Sequence, residues 1–122
     1  MNSEGLMTLG EKQKLFMSLL PRLIDEIYKQ GFECTGGDLW SKAEYKAHKV
    51  NSNHHIRLAI DLNLFKDGTF LTDAMAHKPF GEFWETLHPL CRWGGNWDKD
   101  GTPFEKGEFD ANHYSIEHEG RY

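Results

Sequence analysis

The sequence has few cysteines, no long hydrophobic run and a shortage of positive charge. Its two cysteines, Cys34 and Cys91, are too few for a disulfide scaffold or an all-thiolate zinc finger, so we expect small, semi-buried thiols. No segment approaches the ~18 apolar residues of a membrane span, which argues against stable membrane association. Against 14 Lys+Arg stand 19 Asp+Glu, and the resulting net charge of -5 disfavours nucleic acid as a partner.

The length of 122 residues suits one domain over residues 1–122, which we expect to be a monomer. The N-terminal segment, MNSEGLMTLGEKQKLF, lacks the basic-then-apolar order of a secretory signal. We therefore expect the chain to be made in the cytoplasm, without a signal peptide.

One amphipathic helix gives the strongest structural signal in the sequence. Thr8 and Glu11 have the spacing of a capping box before this helix, and Gly31 is a typical stop signal after it. Pro21 lies within the pattern and predicts either a kink or a second helix that begins there. The apolar stripe comprises Leu15, Phe16, Leu19, Leu20, Leu23, Ile24, Ile27 and Tyr28.

Alternating side chains predict a β-strand from Arg57 to Phe65, with Asp61 on its polar face. The order of elements predicts an α+β fold in which a small antiparallel sheet packs on helices. The other predicted elements are a strand and turn within 32–40, a polar loop or short helix at 41–53, a turn at 66–68, a helix opened by Pro79 and closed by Pro89, and a last strand at 113–118.

Seven histidines leave ample imidazole for a catalytic metal. A catalytic zinc needs three protein ligands, drawn from histidine, aspartate and glutamate, and an open position for water. Two segments offer such ligands on rigid support. His54 lies where a loop leads into the predicted strand that carries Asp61, and Asp110 lies three residues before His113, where the last strand begins. The neighbouring His55 is interpreted as an exposed bystander, and no role is assigned to His48, His77, His88 or His118.

Residues 52–61 resemble the Ser-x-His-x-x-Gly-x-Ala-x-Asp motif of the zinc D-alanyl-D-alanine carboxypeptidases and dipeptidases and the L-alanyl-D-glutamate endopeptidases. The other half of that motif is Asp/Glu-x-x-His followed by an aromatic residue. This group includes small phage endolysins and shares its fold with the hedgehog signalling domain. The approach to the second half, Trp93-Gly94-Gly95-x-Trp97, is similar to the endolysin branch. The matching positions are Ser52, His54, Ala59 and Asp61 in the first half and Asp110, His113 and Tyr114 in the second.

The resemblance implies a single hedgehog/DD-peptidase-like domain that binds Zn²⁺ and hydrolyses the stem peptide of peptidoglycan. Carried over by position, it makes His54, Asp61 and His113 the zinc ligands and Asp110 the general base. It further implies an endolysin-like L-Ala–D-Glu endopeptidase that reaches the cell wall after release from the cytoplasm. The alternatives are a D-Ala–D-Ala carboxypeptidase or dipeptidase and, from another class, a non-catalytic zinc-containing module that binds the cell wall.

Two departures from the family pattern concern substrate binding. The glycine of the first motif is replaced by Arg57, which we expect to adopt an ordinary strand conformation. Family members also carry an arginine near the turn at Gly37, where this sequence has Leu39-Trp40-Ser41. Arg57 is therefore the candidate for binding a substrate carboxylate, and the alternative is a solvated charge at the edge of the strand.

Two further metal hypotheses are weaker. Residues 96–101, NWDKDG, resemble the first half of a calcium-binding EF-hand loop, but the twelfth position is Gly107 rather than glutamate. A polar turn is therefore favoured over a calcium site. A metal nuclease built on the pair of His54 and His55 fits poorly with the acidic net charge.

Overall fold

The computed structural model describes residues 7–37, 56–97, 99, 103–104 and 110–122. The predicted loop at 41–53, which includes Ser52, lies outside the described residues, and so do His54 and His55. Half of the segment considered for calcium, namely Asp98, Asp100 and Gly101, also lies outside them.

The first helix, α1, spans Leu9–Lys29, and its predicted ends are confirmed. The Thr8 Oγ1 atom accepts a hydrogen bond from the Glu11 N–H at 3.1 Å, and the Glu11 carboxylate accepts one from the Thr8 N–H at 2.9 Å. Gly31 ends the helix with a left-handed φ of 88°. A second helix does not begin at Pro21, which lies inside one uninterrupted helix.

The sheet is antiparallel and has the strand order β1-β2-β5-β4, with β3 paired to β2. The predicted α+β fold, an antiparallel sheet packed on two helices, is confirmed. Neither described helix offers a stretch long and apolar enough to span a bilayer. The remaining elements are β1 (Glu33–Gly36), β2 (Ala59–Lys66), β3 (Thr69–Phe70), a 3₁₀ helix (Ala74–His77), α2 (Lys78–Leu87), β4 (Cys91–Trp93) and β5 (His113–Ile116).

The two faces of the sheet differ sharply in polarity. Along β2, Ile60, Leu62 and Leu64 are buried and belong to the core that α1 and α2 cover. The intervening Asp61 and Asn63 are partly exposed on the opposite face. The alternation predicted from the sequence therefore places a carboxylate on the face that the helices leave open.

Arg57 does not have the expected strand conformation, and this prediction is wrong. Its φ is 58°, in the left-handed region, and β2 begins only at Ala59. The turn at this point is tied to α1, because the Gln13 side-chain amide donates to the Ile56 carbonyl at 2.8 Å. The left-handed conformation costs a non-glycine residue about 1–2 kcal/mol. Glycine, which the family motif has at this position, could adopt this conformation without that cost.

Gly81 lets α2 approach β4 closely, and we predict that Gly81→Ala destabilises the protein. A Cβ atom at this position would overlap the buried Trp93 indole, so we expect a loss of about 2–3 kcal/mol in the free energy of unfolding. Gly10→Ala in α1 is the matched control, since its Cβ would meet nothing closer than Thr8 Oγ1 at 4.0 Å. Gly10 is exposed in the first turn of the helix, so alanine there should change the free energy of unfolding by no more than about 0.5 kcal/mol. Urea unfolding checks both values, and stabilisation by Gly81→Ala would contradict the packing described here.

Candidate metal centre

Asp61, Asp110 and His113 come together on the open face of the sheet. Antiparallel pairing of β2 with β5 sets Asp61 directly opposite His113. The His113 Nδ1 atom lies 3.6 Å from Asp61 Oδ1 and 3.6 Å from Asp110 Oδ2. One ligand atom from each of the three residues lies within 4.8 Å of the other two. These separations suit side chains that share a cation.

Backbone contacts fix the position of each acidic residue. The Gly37 N–H donates to the Asp61 carbonyl at 2.6 Å, so β2 is held from the side of β1 as well as from β5. The His113 N–H donates to the Asp110 carbonyl at 3.0 Å, and the Asp110 N–H donates to the Gly94 carbonyl at 3.2 Å. A Cβ atom on Gly94 would overlap the Asp110 backbone. Glycine at position 94 is therefore what allows the two segments to meet.

The three side chains differ in their access to solvent. The side chains of His113 and Asp61 are 5% and 19% exposed, whereas that of Asp110 is 55% exposed. Burial is compatible with Asp61 and His113 holding an ion. Asp110 lies where its carboxylate can also reach a water molecule or a substrate.

The His113 imidazole packs against Trp97, which belongs to a cluster with Arg92 and Tyr122 that was not predicted from the sequence. Its ring centroid lies 4.9 Å from that of Trp97 in an edge-on contact. Arg92 donates to the Trp97 carbonyl and, at 3.1 Å, to the Glu117 carboxylate, while its guanidinium lies 4.7 Å from the centre of the Tyr122 ring. Arg92 thus orients the tryptophan that packs on His113. The sequence did not mark Arg92 for this role, and the structure places it between the two buried residues of β4.

A family model described as D-alanyl-D-alanine carboxypeptidase matches residues 45–115, which is more than half of the chain. The chain belongs to this family. Searches of curated proteins and of solved structures found no match. The matched segment includes all four residues to which the sequence analysis gave metal or catalytic roles: His54, Asp61, Asp110 and His113.

Membership of the D-alanyl-D-alanine carboxypeptidase family places the chain among peptidases, which are hydrolases, and the family is zinc-dependent. The donor set on the open face fits that metal. Two carboxylates and one imidazole offer the oxygen and nitrogen ligands that zinc takes in catalytic sites. The resemblance inferred from the two half-motifs is confirmed.

The structure places Arg57 away from this group. Arg57 lines a groove with residues of α1, the helix that covers the opposite face of the sheet from Asp61. The α1 residues of the groove are Gly10, Gln13, Lys14 and Met17. Binding of a substrate carboxylate by Arg57 stays a prediction.

Two of the described tryptophans belong to the core, and both cysteines agree with the expectation of small thiols that are at least partly buried. Trp84 and Trp93 are fully buried in the core, and Trp97 lies at the metal group. Cys34 is partly buried, Cys91 is buried, and both are free thiols. Burial raises the pKa of the Cys91 thiol to about 12, so this cysteine is an inert core residue rather than a nucleophile.

Proposed function

We propose that the protein is a zinc endopeptidase that hydrolyses the L-Ala–D-Glu bond of the peptidoglycan stem peptide. The observation that carries the proposal is the position of Asp110, whose exposed carboxylate lies beside the less exposed pair of Asp61 and His113. In this proposal Asp61 and His113 are zinc ligands, and His54 supplies the third ligand from the segment that precedes β2. A fourth position is then left for water.

Bound zinc would acidify a water molecule and polarise the scissile carbonyl. The chain itself supplies proton transfer. Asp110 accepts a proton from the attacking water at one of its carboxylate oxygens and then donates that proton to the leaving amine. The backbone bonds between Gly94, Asp110 and His113 hold this carboxylate at a fixed distance from the metal ligands. Arg92 holds the main chain of Trp97, whose ring packs edge-on against the His113 imidazole.

Substrate recognition is proposed to depend on local contacts rather than on overall charge. A net charge of -5 gives no general attraction to an anionic cell wall. Arg57 is the proposed contact for a carboxylate remote from the scissile bond, at the turn four residues before Asp61. We further propose an endolysin-like role, in which the protein is made in the cytoplasm of a phage-infected or prophage-carrying cell and acts on the wall after release.

The bond that is cleaved can be read from the products of a synthetic stem pentapeptide that contains both L-Ala–D-Glu and D-Ala–D-Ala. We expect mass spectrometry to show free L-alanine and a tetrapeptide that begins with D-Glu. Loss of the terminal D-alanine alone would instead establish the carboxypeptidase alternative, which the description of the matching family favours. Binding of zinc and peptide without any product would establish the non-catalytic module. The Asp110→Asn variant serves as the blank.

A further inference from the structure

A pocket of about 260 Å³ opens next to the metal centre. Two of its walls are formed by residues next in sequence to the cluster of Asp61, Asp110 and His113, here called the metal group. Leu62 and Asn63 follow Asp61 along β2, and Ala111 and Asn112 connect Asp110 to His113. The remaining lining residues come from the segment after β3 and from the 3₁₀ helix: Phe70, Leu71, Thr72, Asp73, Ala74 and His77.

The pocket occupies a break in the pairing along one edge of β2. On one side of the break, the Leu62 N–H donates to the Asn112 carbonyl at 2.9 Å. On the other side, the Leu71 N–H donates to the Leu64 carbonyl at 2.9 Å. Between these bonds the strands diverge, because β5 ends its pairing at Asp61 and β3 begins its pairing at Phe65. The break leads directly from the metal group to the 3₁₀ helix.

His77 is a buried polar residue that the proposed chemistry does not use. It is 5% exposed and lines the pocket, and its Nδ1 atom lies 2.8 Å from the hydroxyl of the fully buried Tyr114. Burial lowers the pKa of His77 to about 4, so the ring is neutral in neutral solution.

The contact with Tyr114 decides which nitrogen of His77 carries the proton. Among the described residues, the Tyr114 hydroxyl has this one hydrogen-bond partner. A buried phenol hydrogen without an acceptor would be costly, so the hydroxyl donates and Nδ1 accepts. The proton of the neutral ring therefore lies on Nε2. His77 then has an N–H donor left for a group that enters the pocket.

We propose that this pocket, here named the His77 pocket, is a substrate subsite in which the His77 Nε2–H donates a hydrogen bond to a carbonyl oxygen of the bound peptide. The inference rests on the proposed peptidase function. A neutral carbonyl fits better than a carboxylate, because the described part of the lining includes Asp73 and no lysine or arginine. Asn63, Thr72 and Asn112 add neutral donors and acceptors suited to a peptide backbone.

Two substitutions of His77 test the subsite with the zinc-loaded protein and the stem pentapeptide. His77→Phe removes the donor, and we expect KM to rise about fivefold to tenfold with kcat within about twofold of wild type, as for loss of one hydrogen bond in binding. His77→Gln carries an amide N–H on a side chain of similar reach, and it should restore most of the loss. Zinc content should be equal in all three proteins. A folded His77→Phe protein with the KM of wild type would overturn the subsite.

A second variant keeps the test decisive if phenylalanine at position 77 prevents folding. Tyr114→Phe leaves His77 in place but removes the hydroxyl that fixes its tautomer, and we expect KM to rise by about twofold to threefold. An unchanged KM in folded Tyr114→Phe would overturn the assigned proton position and, with it, the proposed donor.

Binding measured without turnover separates this inference from the proposed function. The Asp110→Asn protein should bind the stem pentapeptide in calorimetric titration, and adding His77→Phe should weaken that binding by the same fivefold to tenfold factor. If wild type neither cleaves nor binds the peptide, the proposed function fails. If wild type cleaves it and the His77 substitutions change neither KM nor affinity, only the subsite fails.

Discussion

Asp110→Asn is expected to lower kcat on the stem pentapeptide by about 10²- to 10⁴-fold while the protein keeps one zinc ion. Asparagine preserves the size of the side chain but cannot accept the proton of the attacking water. The separation of 3.6 Å between Asp110 Oδ2 and His113 Nδ1 places the carboxylate beside a proposed metal ligand, and its 55% exposure leaves it accessible to solvent. Steady-state kinetics and elemental analysis of the purified variant give the two quantities.

Asp67→Asn is the matched control for this substitution. Asp67 lies in the turn between β2 and β3 with a left-handed φ of 52°, a conformation that asparagine also tolerates. Its kcat and zinc content should equal those of wild type. Wild-type kcat in zinc-loaded Asp110→Asn would eliminate Asp110 as the general base. Loss of zinc from Asp110→Asn would instead make Asp110 a metal ligand.

Elements with strong local signals could be predicted from the sequence. The capping box of Thr8 and Glu11 and the stop at Gly31 lie within one turn of the ends of α1, so no distant contact is needed to fix them. The alternation along β2 likewise follows from one face being buried by the helices and the other left open. At the ends of α1 and along β2, the structure favoured by the local sequence is therefore the same as the one favoured by packing in the folded protein.

Elements that depend on distant contacts could not be predicted. Strands β3 and β4 have two and three residues, too few to show a period of alternation. The helix continues through Pro21, although proline removes one backbone donor, because residues on both sides of it, such as Phe16 and Leu23, are fully buried. The left-handed Arg57 is another tertiary effect, since the turn that contains it is anchored on α1.

The residues of the candidate metal site could be predicted from the sequence, but the side chains that contact and support them could not. The half-motifs pointed to Asp61, Asp110 and His113, and the register of β2 with β5 explains why residues so distant in sequence meet. The supporting contacts were not predictable. His77 reaches Tyr114 from the 3₁₀ helix, and Arg92 reaches Trp97 from β4, so neither residue has a partner at a recognisable spacing.

His54→Ala is expected to weaken zinc affinity by more than about 100-fold, beyond the 10- to 100-fold effect of removing a residue that merely supports a ligand. A catalytic zinc takes three protein ligands, and without His54 only two of the proposed three remain. The adjacent His55→Ala is the matched control, because it removes an imidazole from the same segment and should leave zinc affinity unchanged. Competition with a chromophoric chelator measures the dissociation constants, and kcat should fall with zinc occupancy in His54→Ala alone.

Asp61→Ala provides the reference for losing a proposed ligand whose position the structure describes, with its carboxylate 3.6 Å from His113 Nδ1. If His54 is a ligand, His54→Ala and Asp61→Ala should lose zinc affinity to a similar extent, since each removes one of three donors. Wild-type affinity in His54→Ala, together with loss in Asp61→Ala, would show that another donor completes the site. If zinc affinity falls in His55→Ala and stays at the wild-type value in His54→Ala, the third ligand is His55. The first half-motif would then have assigned the ligand one residue too early.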